Sequence, residues 1–162
     1  MALNFSNQLF GEHLFQPNPE DGDTQIWDGT KYVPGSSSTA EKYIAIDCSN
    51  FHAANPDTDQ VHLVNGRYMS TDADGISYYA PLNLPNGARI TSCIIYGSIS
   101  DETWTLDYQN FDGVNGGTVA NANLNSADAA NHVVDNNSQA YFIQTSSLDT
   151  GDDIYGGYIT YT

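Results

Sequence analysis

The side chains with the clearest chemical potential are the carboxylates around Trp104. Asp101, Glu102 and Asp107 flank this tryptophan within one short segment. Two carboxylates held at a set separation across a cleft carry out glycoside hydrolysis, and a sugar ring can stack on a tryptophan. The chain has 20 acidic residues, so such neighbourhoods arise by chance. The sequence therefore predicts no enzyme.

Calcium is the metal that the acidic residues would suit best. The segment Asp72–Gly75 matches the start of an EF-hand loop, but Ile76 and Asn83 stand where that loop needs an oxygen ligand and a bidentate glutamate. The same segment also fits a hairpin turn. A second oxygen-rich loop carries Asp149, Asp152 and Asp153. The sequence predicts no cofactor and no metal site, with loop-bound calcium as the open alternative.

Neither histidine nor cysteine forms a recognisable site. The four histidines are scattered, and none lies beside a nucleophile or at zinc-ligand spacing: His13, His52, His62 and His132. Cys48 and Cys93 each lie in an alternating apolar run, which predicts buried free thiols. A bridge between them is the alternative if their strands are adjacent. No catalytic residue is predicted.

Charge excludes several classes of partner. Four basic residues face 20 acidic ones, for a net charge of −16. Phosphate binding needs clustered Lys and Arg, so nucleic acid is excluded, and anionic membrane surfaces are excluded for the same reason. No stretch has transmembrane length, and residues 1–20 lack the basic start and apolar run of a signal peptide. We expect synthesis in the cytoplasm without a signal peptide.

The elements that would position these side chains are β-strands. Residues 42–162 alternate between apolar and polar positions, with turn signals roughly every 8–12 residues. Asn65-Gly66 between two short runs is a two-residue hairpin signal. About nine strands are expected, with one short helix at 125–132 as the only helical candidate. The fold class predicted is all-β, an antiparallel β-sandwich of jelly-roll-like topology.

The alternation also sorts the candidate residues by face. In the run 103–108, Trp104, Leu106 and Tyr108 face inward, and the intervening Thr, Thr and Asp face outward. Four aromatic residues are candidates for stacking on a sugar: Trp104, Tyr78, Tyr79 and Tyr155. For Trp104 the alternation favours a core position. The sequence assigns no ligand-binding residue.

Ahead of the sandwich, the sequence predicts two further segments. Residues 1–21 form an arm, rich in large apolar residues, that either packs on its own domain or anchors in a neighbouring subunit. Residues 22–41 form a hairpin and a Gly/Ser linker. A free-standing hairpin is marginal alone, so we expect an oligomer interface at Phe5, Phe10, Leu14, Trp27 and Tyr32.

Two segments resemble known modules. Gly22, Asp23, Trp27, Asp28, Gly29, Tyr32 and Pro34 match the hairpin module of phage tail fibres and large bacterial surface-protein stalks. Residues 78–98 and 155–162 resemble a C-terminal β-sandwich head of uncharacterised bacterial and phage-like surface proteins. These resemblances imply a trimeric fibre context and a head domain that follows the hairpin.

The resemblances lead to three functional hypotheses. The first is a non-enzymatic structural or attachment protein: a homotrimeric head, tip or decoration subunit on a virion or extracellular particle. Its partners would be copies of itself, other particle subunits and a host-surface glycan, without membrane insertion. The second is a carbohydrate-binding module with loop-bound calcium. The third is an extracellular filament subunit that assembles through residues 1–21.

Overall fold

The computed structural model describes residues 24–27, 32–35, 40–57 and 61–162, with the first two ranges described by their backbone. The chain divides into two units, residues 1–40 and 41–162. The predicted interface residues Phe5, Phe10 and Leu14 lie outside the described residues. Within the described part, no helix has the length and apolar character needed to cross a membrane.

The first unit contains the expected hairpin. Strands β1 (Thr24–Trp27) and β2 (Tyr32–Gly35) pair antiparallel, with Trp27 opposite Tyr32. The two aromatic residues of the resemblance are therefore backbone partners across the strand pair. The hairpin prediction is confirmed.

The second unit is a two-sheet antiparallel sandwich, which confirms the predicted fold class. A 3-10 turn, Cys48–Asn50, follows the first strand. The strands are β3 (Lys42–Asp47), β4 (His52–Ala53), β5 (Val61–Val64), β6 (Tyr68–Thr71), β7 (Tyr78–Leu82), β8 (Arg89–Gly97), β9 (Thr103–Asn110), β10 (Gly116–Asn123), β11 (Ala127–Val133), β12 (Gln139–Thr145) and β13 (Asp153–Tyr161).

The sheets interleave along the chain as a jelly roll requires. One sheet has the order β10-β9-β12-β7-β4, and the other has β11-β8-β13-β6-β5, with β3 also paired to β13. From β7 onward, each step along the chain changes sheet except the β9–β10 hairpin. Strands that lie side by side are thus distant in sequence, as in jelly-roll barrels.

The core lies between the sheets and is built by inward positions of both. Trp104 and Leu106 of β9, Ile143 of β12 and Ile159 of β13 are fully buried. The indole Nε1 of Trp104 donates to two backbone carbonyls at 3.2 Å each, so the largest core side chain also has its polar atom satisfied. The core position predicted for Trp104 is confirmed.

The predicted hairpin at Asn65-Gly66 is also confirmed. Both residues have positive φ, 50° and 68°, as a two-residue turn between twisted strands requires. The Arg67 amide donates to the Val64 carbonyl at 3.0 Å and closes the turn.

The helix expected at 125–132 is wrong, because residues 127–133 form strand β11. This strand pairs with β8, and the Asp128 carboxylate accepts the Asn121 amide of β10 at 3.0 Å. Pairing with β8 overrides the helix preference of an alanine-rich segment. Within the described residues of the second unit there are eleven strands, more than the nine expected.

The two cysteines are free and buried, as predicted. Cys93 is on β8 and Cys48 directly follows β3, and β13 lies between these two strands. Two inter-strand spacings are about 9–10 Å, beyond the roughly 7 Å over which Cα atoms can be bridged. The disulfide alternative is therefore wrong. Burial raises the pKa of Cys93 to about 12, so the thiol is unreactive.

Candidate functional site

The outer side of the five-stranded sheet is the candidate site. Because Trp104 and Leu106 point into the core, alternation turns Thr103, Thr105 and Asp107 to solvent. This confirms the outward positions predicted for that strand. We call this surface the polar-aromatic face and define it by its central residues, Tyr79, Thr105, Asp107, Phe142 and Gln144.

Strand register brings these residues together from three separate parts of the chain. Gln144 of β12 is opposite both Thr105 of β9 and Tyr79 of β7, and Tyr79 is also opposite His52 of β4. Directly opposite residues share one side of a sheet. They therefore form one transverse row, continued on β10 by Asn121, which is opposite Thr105.

An aromatic pair lies within this face. The rings of Tyr79 and Phe142 have centroids 5.0 Å apart and planes tilted by 41°. Tyr79 is 37% exposed, so one ring surface remains accessible even though the pair is packed. Tyr79 and the half-buried Phe142 support each other and provide a rigid apolar surface at low conformational cost.

Asp107 organises the hydroxyl groups beside this pair. The Thr105 hydroxyl donates to one carboxylate oxygen and the Thr118 hydroxyl to the other, each at 2.6 Å. Both hydroxyl protons are used in these bonds, so toward a ligand the two hydroxyl oxygens can act only as acceptors. The face therefore offers fixed acceptors at the two threonines and an amide with donors and an acceptor at Gln144.

An open groove runs beside the row. It encloses about 300 Å³ and is lined mainly by hydroxyl, carboxylate and amide side chains: Ser77, Thr103, Thr105, Asp107, Gln144, Thr145 and Ser146. The hydroxyls of Thr103 and Ser146 lie 2.7 Å apart and close one end. A groove of this kind suits a polar, hydroxyl-rich ligand rather than an apolar one.

No described cation lies on the polar-aromatic face. Lys42 is near the Tyr161 ring, 6.0 Å from its centroid, and Arg89 donates to Asn131. Arg67 is in the turn between β5 and β6. All three belong to the other sheet, so the described part of the protein places no positive charge where an anionic ligand on this face would need one.

The three carboxylates singled out around Trp104 do not form a common site with that ring. Trp104 and Asp107 point to opposite sides of β9, so the ring and the acid cannot act together. Burial raises the pKa of Glu102, and the negative charges of Asp101, Asp149 and Asp152 raise it further. Of the four aromatic residues predicted to stack on a sugar, Trp104 and Tyr78 are fully buried and therefore cannot contact a ligand.

In both segments considered for calcium, an aspartate carboxylate already accepts hydrogen bonds from within the protein. Asp74 accepts the Thr150 amide at 2.9 Å and its hydroxyl at 2.7 Å, which lowers the pKa of Asp74. Asp152 accepts the Asp149 amide at 2.8 Å. Across the described ranges, no three His, Cys, Asp or Glu residues are grouped so that they could hold a metal ion.

The described histidines do not form a catalytic group either. His52 is exposed on β4, and His62 lies 3.9 Å from Asp72. His132 contacts the Tyr141 hydroxyl at 3.0 Å and stacks on Tyr108 with centroids 5.2 Å apart. Each has a separate structural environment, while His13 lies outside the described residues.

A second hollow lies at the end of the sandwich. It encloses about 510 Å³ and is lined by Asn110, Phe111, Asp112, Asn137, Ser138 and Gln139. Its carboxylate, Asp112, already accepts two backbone amides and the Asn115 side chain. Phe111 is its one aromatic residue, so the hollow lacks the paired rings of the polar-aromatic face.

The sequence indicated three of the five residues that define this face. The outward polar row of β9 and the stacking candidate Tyr79 were both readable from alternation and residue type. Phe142 and Gln144 were missed, because their place beside those residues depends on β12 lying between β7 and β9. Pairing between strands so far apart in sequence leaves no local signal.

No protein-family model matches the chain, and no curated protein does either. The tail-fibre resemblance of the hairpin thus stays a prediction. Among solved structures, the chain is similar to the C-terminal CBM6 of LamC, a marine laminarinase from Zobellia galactanivorans, at 11% identity and a TM-score of 0.45. That similarity covers 75% of this chain and 100% of the other.

Two further structures are similar to a comparable degree. The CBM22-1-GH10 modules of Clostridium thermocellum endo-1,4-beta-D-xylanase 10B, complexed with xylohexaose, are 11% identical at a TM-score of 0.44, over 75% of this chain and 28% of that one. The xylan-binding module CBM15 is 16% identical at a TM-score of 0.40, over 76% and 98%. Similarity this low does not identify a ligand, which has to be inferred from the surface.

Proposed function

We propose that the second unit is a non-catalytic carbohydrate-binding module and that its polar-aromatic face holds the glycan. The observation that carries this proposal is the partly exposed Tyr79–Phe142 pair, which lies beside hydroxyl and amide groups on the same side of the sheet. Sugars present both an apolar ring face and a rim of hydroxyls. This surface offers a complement to each.

The mechanism is stacking combined with directed hydrogen bonds. A sugar ring lies on Tyr79 and Phe142, and its hydroxyls donate to Thr105 and exchange hydrogen bonds with Gln144. Asp107 holds the threonine hydroxyls before the ligand arrives, which reduces the entropy lost on binding. The row spans five strands, or about 19 Å at 4.7–4.9 Å per strand, enough for several rings of a linear chain.

The expected ligand is uncharged. The face carries one carboxylate, Asp107, and none of the described cations, in a chain of net charge −16. A uronic acid or sulfate group would meet repulsion without a compensating ion pair. Neutral polymers of glucose, xylose, galactose or mannose are therefore favoured over acidic ones, and added salt should change their affinity little.

The test is affinity electrophoresis of the full chain in gels that contain neutral or acidic polysaccharides. At least one neutral polymer should retard the wild type, and pectate and heparin should not. The double variant Tyr79→Ala, Phe142→Ala should migrate as in a polymer-free gel. Retardation by acidic polymers alone, or a double variant retarded like the wild type, would contradict the proposal.

Phe111→Ala is the matched control, because Phe111 is a more exposed aromatic residue that lies off this face. It should be retarded as strongly as the wild type. If Phe111→Ala instead abolished retardation while the double variant did not, the glycan would occupy the hollow at the end of the sandwich.

We also propose a role for the first unit, favoured by the pairing of Trp27 with Tyr32. Residues 1–41 would anchor a homotrimeric attachment or particle subunit, with Phe5, Phe10, Leu14, Trp27 and Tyr32 between copies and the module displayed toward a host-surface glycan. Light scattering should give a trimeric mass for the wild type and a lower mass for Trp27→Ala. A monomer at micromolar concentration, or a Trp27→Ala variant that assembles normally, would contradict this role.

A further inference from the structure

The outer side of the other sheet carries a cluster of tyrosines that the proposed function does not use. Ile44 and Ile46 of β3, and Ile159 of β13, pack into the core, so their strand neighbours face outward. The outward set includes three tyrosines, which we call the tyrosine face: Tyr43, Tyr96 and Tyr158.

These three rings form one preformed surface. Tyr158 is edge-on to Tyr43 with centroids 5.7 Å apart, and tilted against Tyr96 at 6.4 Å. Burial raises the pKa of the Tyr96 phenol, and the neighbouring Tyr158 phenol raises it further. Each ring is therefore held by a neighbour, so little side-chain entropy remains to be lost when a ligand stacks on the cluster.

The tyrosines cover residues that would otherwise be open to solvent. Ile94 and Thr160 lie on the outward side of their strands, opposite Tyr158 and Tyr43 respectively, yet are only 7% and 6% exposed. The neighbouring outward positions are small, at Ala45, Ala127 and Ala129. The result is a packed cluster of aromatic rings bordered by small residues.

The exposed area of this surface argues against a protein partner. Tyr43 is 62% exposed and Tyr96 is 37% exposed, so these two rings together expose about 200 Å² at roughly 200 Å² per tyrosine, and the half-buried Tyr158 adds a smaller area. A stable protein interface buries about 800 Å² on each partner. A second copy would also bring another net charge of −16. A surface of this size matches one or two sugar rings.

The charged residues around the tyrosine face also do not single it out as the docking site of a basic partner. Two acids border the cluster: Asp47 at the rim, and Glu41, whose carboxylate accepts the Tyr43 hydroxyl at 3.4 Å. A cation would find many further carboxylates elsewhere on a chain with 20 acidic residues. The ligand that fits exposed tyrosine rings and small neighbours is an uncharged glycan, bound by stacking.

We infer that the tyrosine face is a second glycan-binding face, so that one chain can hold two glycan strands on opposite sides of the sandwich. This inference does not depend on the polar-aromatic face, since the two faces share no residue. Together the faces would let a single copy cross-link a polysaccharide.

Isothermal titration of the full chain against uncharged hexasaccharides of xylose, glucose, galactose or mannose tests the inference. For at least one of them, the stoichiometry should be two per chain. Tyr43→Leu with Tyr96→Leu should weaken the tyrosine-face site about tenfold or more, while the other site keeps its affinity. Tyr43→Phe with Tyr96→Phe keeps the rings and should retain most of the binding.

The outcomes separate this inference from the proposed function. Binding that is lost in the leucine variant but unchanged in Tyr79→Ala, Phe142→Ala would support the tyrosine face and contradict the polar-aromatic face. One site, unaffected by the leucine changes, would overturn the inference. So would a wild-type dimer in sedimentation that the leucine changes dissociate, because a second copy would then cover the tyrosines.

Discussion

The two outer faces of the sandwich use aromatic residues in different settings. On the polar-aromatic face, the Tyr79–Phe142 pair lies beside hydroxyls that Asp107 holds in place. On the tyrosine face, the rings support one another over alanine and have few directed polar groups around them. The first setting favours recognition of a particular pattern of sugar hydroxyls, and the second favours stacking with little discrimination.

The largest expected effect is a loss of stability of the fold that carries both faces. Trp104 of β9 is a fully buried side chain of the core between the sheets, so Trp104→Ala should lower the free energy of unfolding by about 3–5 kcal/mol. Urea unfolding should show this loss, with Phe111→Ala within about 0.5 kcal/mol of the wild type. If Trp104→Ala cost less than 1 kcal/mol, the sheets would not be held by this core.

The next largest effect should be confined to the sheet that carries the tyrosine face. Gly156 has φ +108°, and a Cβ there would lie 2.3 Å from the Ile46 carbonyl oxygen. Gly156→Ala should therefore loosen the β3–β13 pairing under the tyrosine face, at a cost of about 1–3 kcal/mol. Amide exchange should accelerate in β3 and remain slow in β9.

Gly151→Ala is the control for that change. Gly151 also has positive φ, +89°, but a Cβ there would meet nothing within 4 Å. The substitution therefore isolates the backbone cost from the steric one. Equal exchange rates in β3 for the two variants would mean that the Ile46 contact does not matter.

A smaller effect should appear on the polar-aromatic face alone. In Asp107→Asn, one acceptor oxygen is replaced by an amide group, so Thr105 and Thr118 are no longer both held. Affinity for a neutral glycan should fall about tenfold, which is 1.4 kcal/mol, with the tyrosine face unaffected. Titration calorimetry checks this, and an unchanged affinity would mean that the threonine hydroxyls need no positioning.

The smallest effect should leave both faces untouched. Hydrogen bonds from Thr150 lower the pKa of Asp74 below 3.8, and those from Ser138 and Asn137 lower that of Asp135. Groups with depressed folded-state pKa values stabilise the fold above pH 3.8, and this contribution disappears as pH falls through the lowered values. Unfolding free energy should be level from pH 7 to 5 and decline below 4.

Asp74→Asn should make that decline shallower. Both aspartates lie in turns, away from the two faces, so glycan affinity should be the same in this variant at pH 7. An unfolding curve whose pH dependence is unchanged in Asp74→Asn would show that the Thr150 contact contributes nothing.

The contrast between the faces also shows how far the sequence could be interpreted. Alternation within a strand gave the fold class, the buried Trp104 and the outward Thr and Asp residues of β9, because each depends on local geometry. The helix expected at 125–132 failed because pairing with β8 decides that segment. The aromatic partners Phe142 and Tyr158 could not be assigned, since their neighbours come from distant strands.

Backbone amide shifts of the full chain, recorded during titration with the neutral hexasaccharide that binds best, test whether the polar-aromatic face holds the glycan. We predict a continuous patch of shifted residues on β7, β9 and β12, centred on Tyr79, Thr105 and Gln144. Tyr79→Ala with Phe142→Ala should abolish it. If those strands stay unshifted at saturating ligand while another surface responds, the polar-aromatic face is not the glycan-binding site.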